Sequence, residues 1–337
     1  RLRTVDDIAR FRDEFDRVAP KWPPAVVAVF ALDVAKTTID EAIEQRPSIA
    51  RDRVSVDHRF LGAYVVSIIE VGCAQFKRTG VSGAFVRDWN LAALRLALES
   101  ASMLRGALEY PVVIFARNAP VILHEHARHA RETFPRDPFV LYEWAAVQEV
   151  MIHVALHSEG AVHFPSFKPT HTMTRSDGQE WWPGGATRRE IAEALDVARQ
   201  EPALKFDALL RLGRVRTWLG ENQQALQLWA EIVRDDVNQN RIYLAHLFTG
   251  RALADSNRFA EAAAAFSAAL QLRPNTQSAG VPLAALNYLA GKRVEAAGIV
   301  GQLLQPPTQS SDPWLWYLAP GYSDWPIRLE RLRAAIR

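Results

Sequence analysis

Leu209-Leu-Arg-Leu-Gly213, then Trp218-Leu-Gly-Glu-Asn-Gln-Gln-Ala225, then Trp229 and Ile232: this order of residue types recurs twice more along the chain. The second copy is His246-Leu-Phe-Thr-Gly250, Asp255-Ser-Asn-Arg-Phe-Ala-Glu-Ala262, Phe266, Ala269 and Pro274. The third is Leu283-Ala284, Leu289-Ala-Gly-Lys-Arg-Val-Glu-Ala296, Val300 and Leu303. Ala225, Ala262 and Ala296 are 37 and 34 residues apart. A period in this range marks a supersecondary unit that buries its apolar face only by stacking on copies of itself.

Each residue type has a packing reason. Gly213, Gly250 and Ala284 fall mid-helix, where a small side chain lets the paired helix approach closely. Gly220, Asn257 and Gly291 fall at the turn between two helices, where a left-handed backbone is cheap only for Gly or Asn. Ala225, Ala262 and Ala296 open the second helix with another close contact. Trp229, Phe266 and Val300, one turn later, fill the space between neighbouring repeats, and Pro274 ends a helix that it cannot continue. The combination resembles the tetratricopeptide repeat family, in its bacterial form. That resemblance implies an all-α fold, an α-α superhelix (a TPR-like solenoid) of antiparallel helix pairs with a C-terminal capping helix. It also implies a protein that grips a partner rather than one that catalyses a reaction.

Working outward, the organisation divides into five stretches. Residues 188–305 hold the array, with Arg188 to Gln200 reading as a second helix that ends near Pro202. Residues 158–187 form a long connection rich in Pro, Gly, Ser, Thr and His. Connections of that length are uncommon in compact domains unless functional or disordered. Residues 111–157 read as degenerate repeat-like helices. Two spaced alanines, Ala127 and Ala130, precede Pro135, and Asp137-Pro138 supplies an N-cap with proline at the first helical position. Residues 1–110 show helix signals without a clean repeat. They include a capping-box-like Thr4-Val-Asp-Asp7, a helix from Pro23-Pro24 through Asp33 or beyond, and amphipathic stretches at Arg59 to Lys77 and Phe85 to Leu104. Residues 306–337 form an aromatic tail, Asp312-Pro-Trp314 through Trp325-Pro326. A final helix there carries Ile327, Leu329, Leu332 and Ile336, expected to shield the last repeat from water.

Composition narrows the function. Forty basic and 38 acidic side chains leave a formal charge of +2, too small for bulk electrostatics to imply nucleic acid or a membrane surface. No apolar run approaches the ~20 residues of a membrane span. Cys73 is the single cysteine, so no intrachain disulfide or zinc finger is available. Its apolar surroundings read as a buried, inert thiol. Nucleophile-elbow, phosphate-loop, C-x-x-C and H-E-x-x-H patterns are missing. The chain is therefore read as a non-enzyme with no cofactor. A periplasmic or secreted location is expected from the non-Met start and the bacterial resemblance, with the cytoplasm left open.

Three groups of residues are candidates for a site. In the resembled family, the first helix of each repeat lines an inner groove. Carried over, that places Arg214 and Trp218, Phe248, Arg251 and Asp255, and Tyr288 (beside Ala285) along it. Arg214 and Arg251 occupy equivalent positions and form a small basic ladder, suited to a carboxylate because a guanidinium donates two hydrogen bonds in parallel. The Lys and Asn clamp by which some family members hold a C-terminal carboxylate is not reproduced, and an ordinary solvated helix face is the competing reading. Second, Trp181 and Trp182 are costly to leave in water and are expected to dock on the array or a partner. Third, Glu149, His153 and His157 are spaced i, i+4, i+8 on one helix face, near His163 and His171. Such a set would suit a metal such as zinc or a partner's haem iron. The residues between the imidazoles are Val154, Ala155 and Leu156, without the Glu of a metalloprotease helix, and a structural or solvated set is the plainer reading. His124, His126 and His129 spread around their helix. The leading expectation is a scaffold or adaptor for a protein or peptide. A metal- or haem-associated accessory protein and a structural subunit of a larger assembly stand as alternatives.

Overall fold

A computed structural model describes residues 10, 13–15, 17–44, 83–108, 127–161, 173–174, 180–181, 187–304, 312–318 and 325–336. The stretch Arg59 to Lys77, Cys73, His124, His126, His163, His171 and Trp182 lie outside the described residues. The fold is all-α. The β-structure among the described residues is one short antiparallel pair, β1 (Met173–Thr174) on β2 (Glu180–Trp181), within the connection at 158–187. The chain divides into two compact units: residues 188–318, and residues 1–187 together with 319–337.

The unit at 188–318 is the repeat array. Its helices are α4 (Arg188–Ala198), α5 (Lys205–Trp218), α6 (Asn222–Asp235), α7 (Gln239–Asp255), α8 (Phe259–Leu272), α9 (Gln277–Leu289), α10 (Arg293–Leu303) and the short α11 (Pro313–Leu318); α1 to α3 and α12 belong to the other unit and are given below. From α4 to α10 each helix packs on its sequence neighbours, and α5 also touches α7. This is the solenoid-like arrangement the repeats imply.

The turns and close approaches fall where the small residues are. Gly220 and Gly291 have φ near +79°, and Asn257 has φ of 58°, so the chain reverses through left-handed backbone between the helices of each pair. Asn275, after Pro274, adopts the same conformation with φ of 66°. A Cβ on Gly213 would lie 2.2 Å from Nε1 of Trp229, and one on Gly250 would lie 2.7 Å from the Phe266 ring. The mid-helix glycines thus hold the aromatic of their own partner helix. In the third pair the close approach is made by Gly280, where a Cβ would lie 2.8 Å from the Leu303 side chain. Trp229 also reaches the next repeat, its ring centroid 5.7 Å from that of Phe248. Val300 is the exception among the space-filling residues, at 44% exposure.

Polar links repeat at the same interval. Asn222 donates to Ser256 Oγ at 3.3 Å, Arg241 to Asp207 at 3.2 Å, and Arg273 to Asn240 Oδ1 at 2.8 Å, joining residues 34, 34 and 33 apart. Contacts at one period of separation are what stacked copies produce. Asp236, nearly buried, accepts two bonds from Arg241 at 2.5 and 3.0 Å and tightens the turn into α7.

The other unit is built on α1 (Pro24–Glu44), α2 (Gly83–Leu108), α3 (Pro138–Ala161) and α12 (Trp325–Ala334). Residues 127–133 are also helical, and a 3-10 turn spans Ala19–Lys21. Asp137 caps α3 as its sequence implies, accepting from the amides of Phe139 and Val140 at 3.0 and 3.1 Å. Arg87 of α2 pairs with the same carboxylate. Every residue from 140 to 150 is buried, which makes α3 an interior helix. Its buried Glu143 is matched by Arg95 of α2.

The closing helix α12 forms and packs within its own unit. Its Leu329 and Leu332 are buried with Leu32 of α1 and Phe85, Trp89 and Leu96 of α2, and Arg333 pairs with Asp33 of α1 at 2.9 Å. Trp89 secures this core, donating from Nε1 to the Ala28 carbonyl at 2.8 Å. The final helix pair of the array meanwhile leaves Leu289, Val294 and Leu304 at 78%, 84% and 80% exposure. The apolar stripe of α12 matched any helical surface in search of a lid. The complementary layer turned out to be α1 and α2.

Candidate functional site

The inner helices of the array gather around α11. This segment opens with Asp312-Pro313, a carboxylate at the N-cap and a proline at the first helical position, where its missing N–H is no loss. Asp312 Oδ1 accepts from the Trp314 amide at 3.0 Å, and the helix then presents Trp314 and Tyr317, three residues apart and so on one face. Their rings stack with centroids 5.6 Å apart and planes 12° apart.

Two more i, i+3 pairs meet them: Arg211 and Arg214 on α5, Phe248 and Arg251 on α7. Phe248 touches Trp314 and Tyr317 edge-on, with centroids 5.8 and 5.2 Å away. The Arg214 guanidinium lies between 5.1 and 5.2 Å from four rings, those of Trp218, Phe248, Trp314 and Tyr317. Arg251 stands 5.0 Å over the Trp314 ring. Guanidinium groups favour such faces because the ring quadrupole is negative there, by about 0.5–2 kcal/mol per contact depending on desolvation.

The two ends of α11 are held by opposite charges. At its N-terminus, Asp312 also accepts from the Tyr243 hydroxyl at 3.2 Å and from the Ser278 amide at 2.9 Å. At its C-terminus, Arg211 donates to the Tyr317 carbonyl at 3.2 Å while stacking 4.5 Å over the Tyr317 ring. A carboxylate at the start and a cation at the end is the arrangement the helix dipole favours. Burial pushes the Tyr243 phenol well above its usual range, so the hydroxyl stays a donor to Asp312 at any ordinary pH.

The predicted groove residues separate into two sets. Arg214, Trp218, Phe248 and Arg251 come together. Asp255 lies at the exposed end of α7, and Tyr288 is 59% exposed with the Arg293 guanidinium 5.7 Å over its ring; neither joins the cluster, and Ala285 is exposed. The basic ladder lies over ring faces, and the Asp312 carboxylate accepts from one hydroxyl and two amides. Arg211, Tyr243, Asp312, Trp314 and Tyr317 were not singled out for the site. A sequence signal existed for Arg211: it is a charge inside Leu209-Leu-Arg-Leu, where periodicity places a buried position, and it is 1% exposed.

The remaining candidates fall elsewhere. Glu149 is fully buried within α3, and the helix continues through His153 and His157, whose side chains lie outside the described residues. Among the described residues no group of three His, Cys, Asp or Glu side chains is placed to hold a metal ion, and no helix is long and apolar enough to cross a membrane. Trp181 contributes backbone to β2, and its side chain is also outside the described residues. No family model matches the chain, and no curated protein matches it.

Proposed function

We propose that this protein is a non-enzymatic scaffold or adaptor of the tetratricopeptide repeat type, which holds a peptide segment of a partner protein on the inner helices of its array. One observation carries this reading: α5 and α7 already seat a short helical segment, through residues at the positions that the repeat pattern assigns to the inner face. The contact is made by arginines and large aromatics, the residue types that dominate binding energy where proteins meet.

The test is affinity capture from the native source with the wild-type chain and with Arg214→Glu/Arg251→Glu, followed by identification of what co-elutes. A partner retained by the wild type and lost from the folded variant is the expected result. The same partners at the same yield from both proteins would remove the groove from consideration.

A further inference from the structure

The geometry points to a groove that the chain closes on itself: residues 312–318 act as an intramolecular occupant, displaced by a partner segment of the same chemistry. That chemistry is a carboxylate capping a short helix with two aromatic residues three positions apart. This rests on the array being the binding element, and it adds which partner the array takes and what stands in the way.

Four observations support displacement rather than permanent packing. First, α11 has six residues, about half the ~12–15 that an isolated helix needs for even marginal stability in water. Its fold therefore depends on the surface beneath it. Second, two of its three anchoring bonds reach across 106 residues to Arg211 and 69 to Tyr243, the third spanning 34 to Ser278, whereas the polar links between neighbouring repeats span 33 or 34 residues. The glycine–aromatic packing of Gly213 on Trp229 and Gly250 on Phe266 is complete without α11.

Third, the contact is unlike the rest of the array's interior. The helix pairs pack Ala, Leu, Gly and single aromatics. The α11 contact sets three arginines, Arg211, Arg214 and Arg251, and one aromatic, Phe248, against Trp314 and Tyr317. Guanidinium groups uncovered by departure of α11 regain water, and the apolar side chain it uncovers with them is Phe248. Fourth, both ends of the occupant are read by polarity: Tyr243 and Ser278 on the carboxylate, Arg211 on the last carbonyl. A segment with the aromatics but no acid loses one end of that recognition, which is how the site would discriminate among partners.

A tethered occupant competes at an effective concentration on the order of millimolar for short connections, so a partner in trans binds the closed protein weakly. The measurement uses a labelled synthetic peptide of residues 309–322, followed by fluorescence anisotropy against the full chain. Trp314→Ala/Tyr317→Ala, which vacates the groove, should bind this peptide at least about tenfold more tightly than the wild type. The same peptide carrying Asp312→Ala should bind the vacated chain more weakly. A helical, folded Trp314→Ala/Tyr317→Ala chain that does not bind the peptide overturns the proposal.

Hydrogen exchange on the wild type decides the matter if that variant fails to fold. Amides of α11 opening well before those of α7 is the expected order, and exchange of both only in one common event overturns it. A concentration-dependent dimer that trades α11 between copies would also overturn it, in favour of a second copy as occupant. If these fail while Arg214→Glu/Arg251→Glu still loses a partner, the scaffold reading stands without the closure.

Discussion

Replacing Gly213 by alanine should destabilise the array, although alanine is the better helix former. Away from contacts, Gly→Ala within a helix gains about 1 kcal/mol. Here the new Cβ would lie 2.2 Å from Nε1 and 2.4 Å from Cε2 of Trp229, against about 3.5 Å for an unstrained contact. The indole would have to retreat by more than an ångström. It has little room, being 1% exposed and packed on Phe248, and retreat breaks its hydrogen bond to the Leu210 carbonyl at 3.2 Å. Overpacking of this kind costs about 1–3 kcal/mol, and the lost bond about 1 kcal/mol more. Set against the gain in propensity, the net is a loss of about 1–3 kcal/mol. Gly298→Ala on α10 is the matched control, because nothing lies within 4 Å of its Cβ position; it should gain up to about 1 kcal/mol. Urea unfolding followed by far-ultraviolet circular dichroism measures both through the shift in midpoint at constant slope. Gly250→Ala, with its nearest ring atom at 2.7 Å, should fall between them. Gly213→Ala/Trp229→Val carries the residue types that the third repeat has at Ala284 and Val300 and should be less damaged than the two single changes added together. If Gly213→Ala proves as stable as Gly298→Ala, the glycine is not there to admit the tryptophan, and the account of how the repeats close is wrong.

The remaining predictions concern the turns, the acid limb and the last helix. Asn257 sits at φ of 58°, so Asn257→Gly should leave the unfolding midpoint nearly unchanged, while Asn257→Val should lose about 1–2 kcal/mol; equal effects would show that the left-handed turn is not needed. Burial alone would raise the Asp236 carboxyl, but hydrogen bonds from Arg241 and from the Asn238 and Val237 amides hold it below the usual carboxylate range. A carboxylate depressed in the folded state contributes stability that is present above its unfolded value, about 3.9, and lost as pH falls through the folded one. Denaturation midpoints collected from pH 6 to pH 2 should therefore fall at the acid end, and fall less steeply in Arg241→Gln; parallel curves would exclude the pair as a contributor. Leu332→Ala removes a side chain that is 1% exposed and should cost about 2–5 kcal/mol. The resulting loss of hydrogen-exchange protection should appear in α1 and α2, and protection unchanged there would refute the packing of Leu332 on that layer.

Gly220, Asn257, Gly291, Gly213 and Gly250 were legible in advance because each carries its constraint in its own backbone or at a fixed distance along the chain. A left-handed turn needs Gly or Asn wherever it falls, and an aromatic sixteen residues beyond a mid-helix glycine meets it by the geometry of one helix hairpin. The cap at Asp137-Pro138 was legible for the same reason. The amphipathic stripe of α12 and the aromatic pair of α11 were just as visible, yet their destinations were not. A helical apolar face states that it will be buried and does not state against what. Leu329 and Leu332 found the layer of α1 and α2, far earlier in the chain, because that layer offered a matching surface.

The candidate site shows the same division. Repeat equivalence placed Arg214, Phe248 and Arg251 on the inner side, since register along a helix fixes which residues share a face. It pointed to a carboxylate for the arginines because a guanidinium in isolation suits one. The ring faces that the arginines meet come from Trp314 and Tyr317, which reach them only when the chain folds back on α7. From its own residues the chain determines periodicity, turns, caps and the helices' faces, all set by interactions within a few turns. Tertiary structure alone decided the covering of each face, because burial rewards any complementary surface, and complementarity exists only once the surfaces have formed.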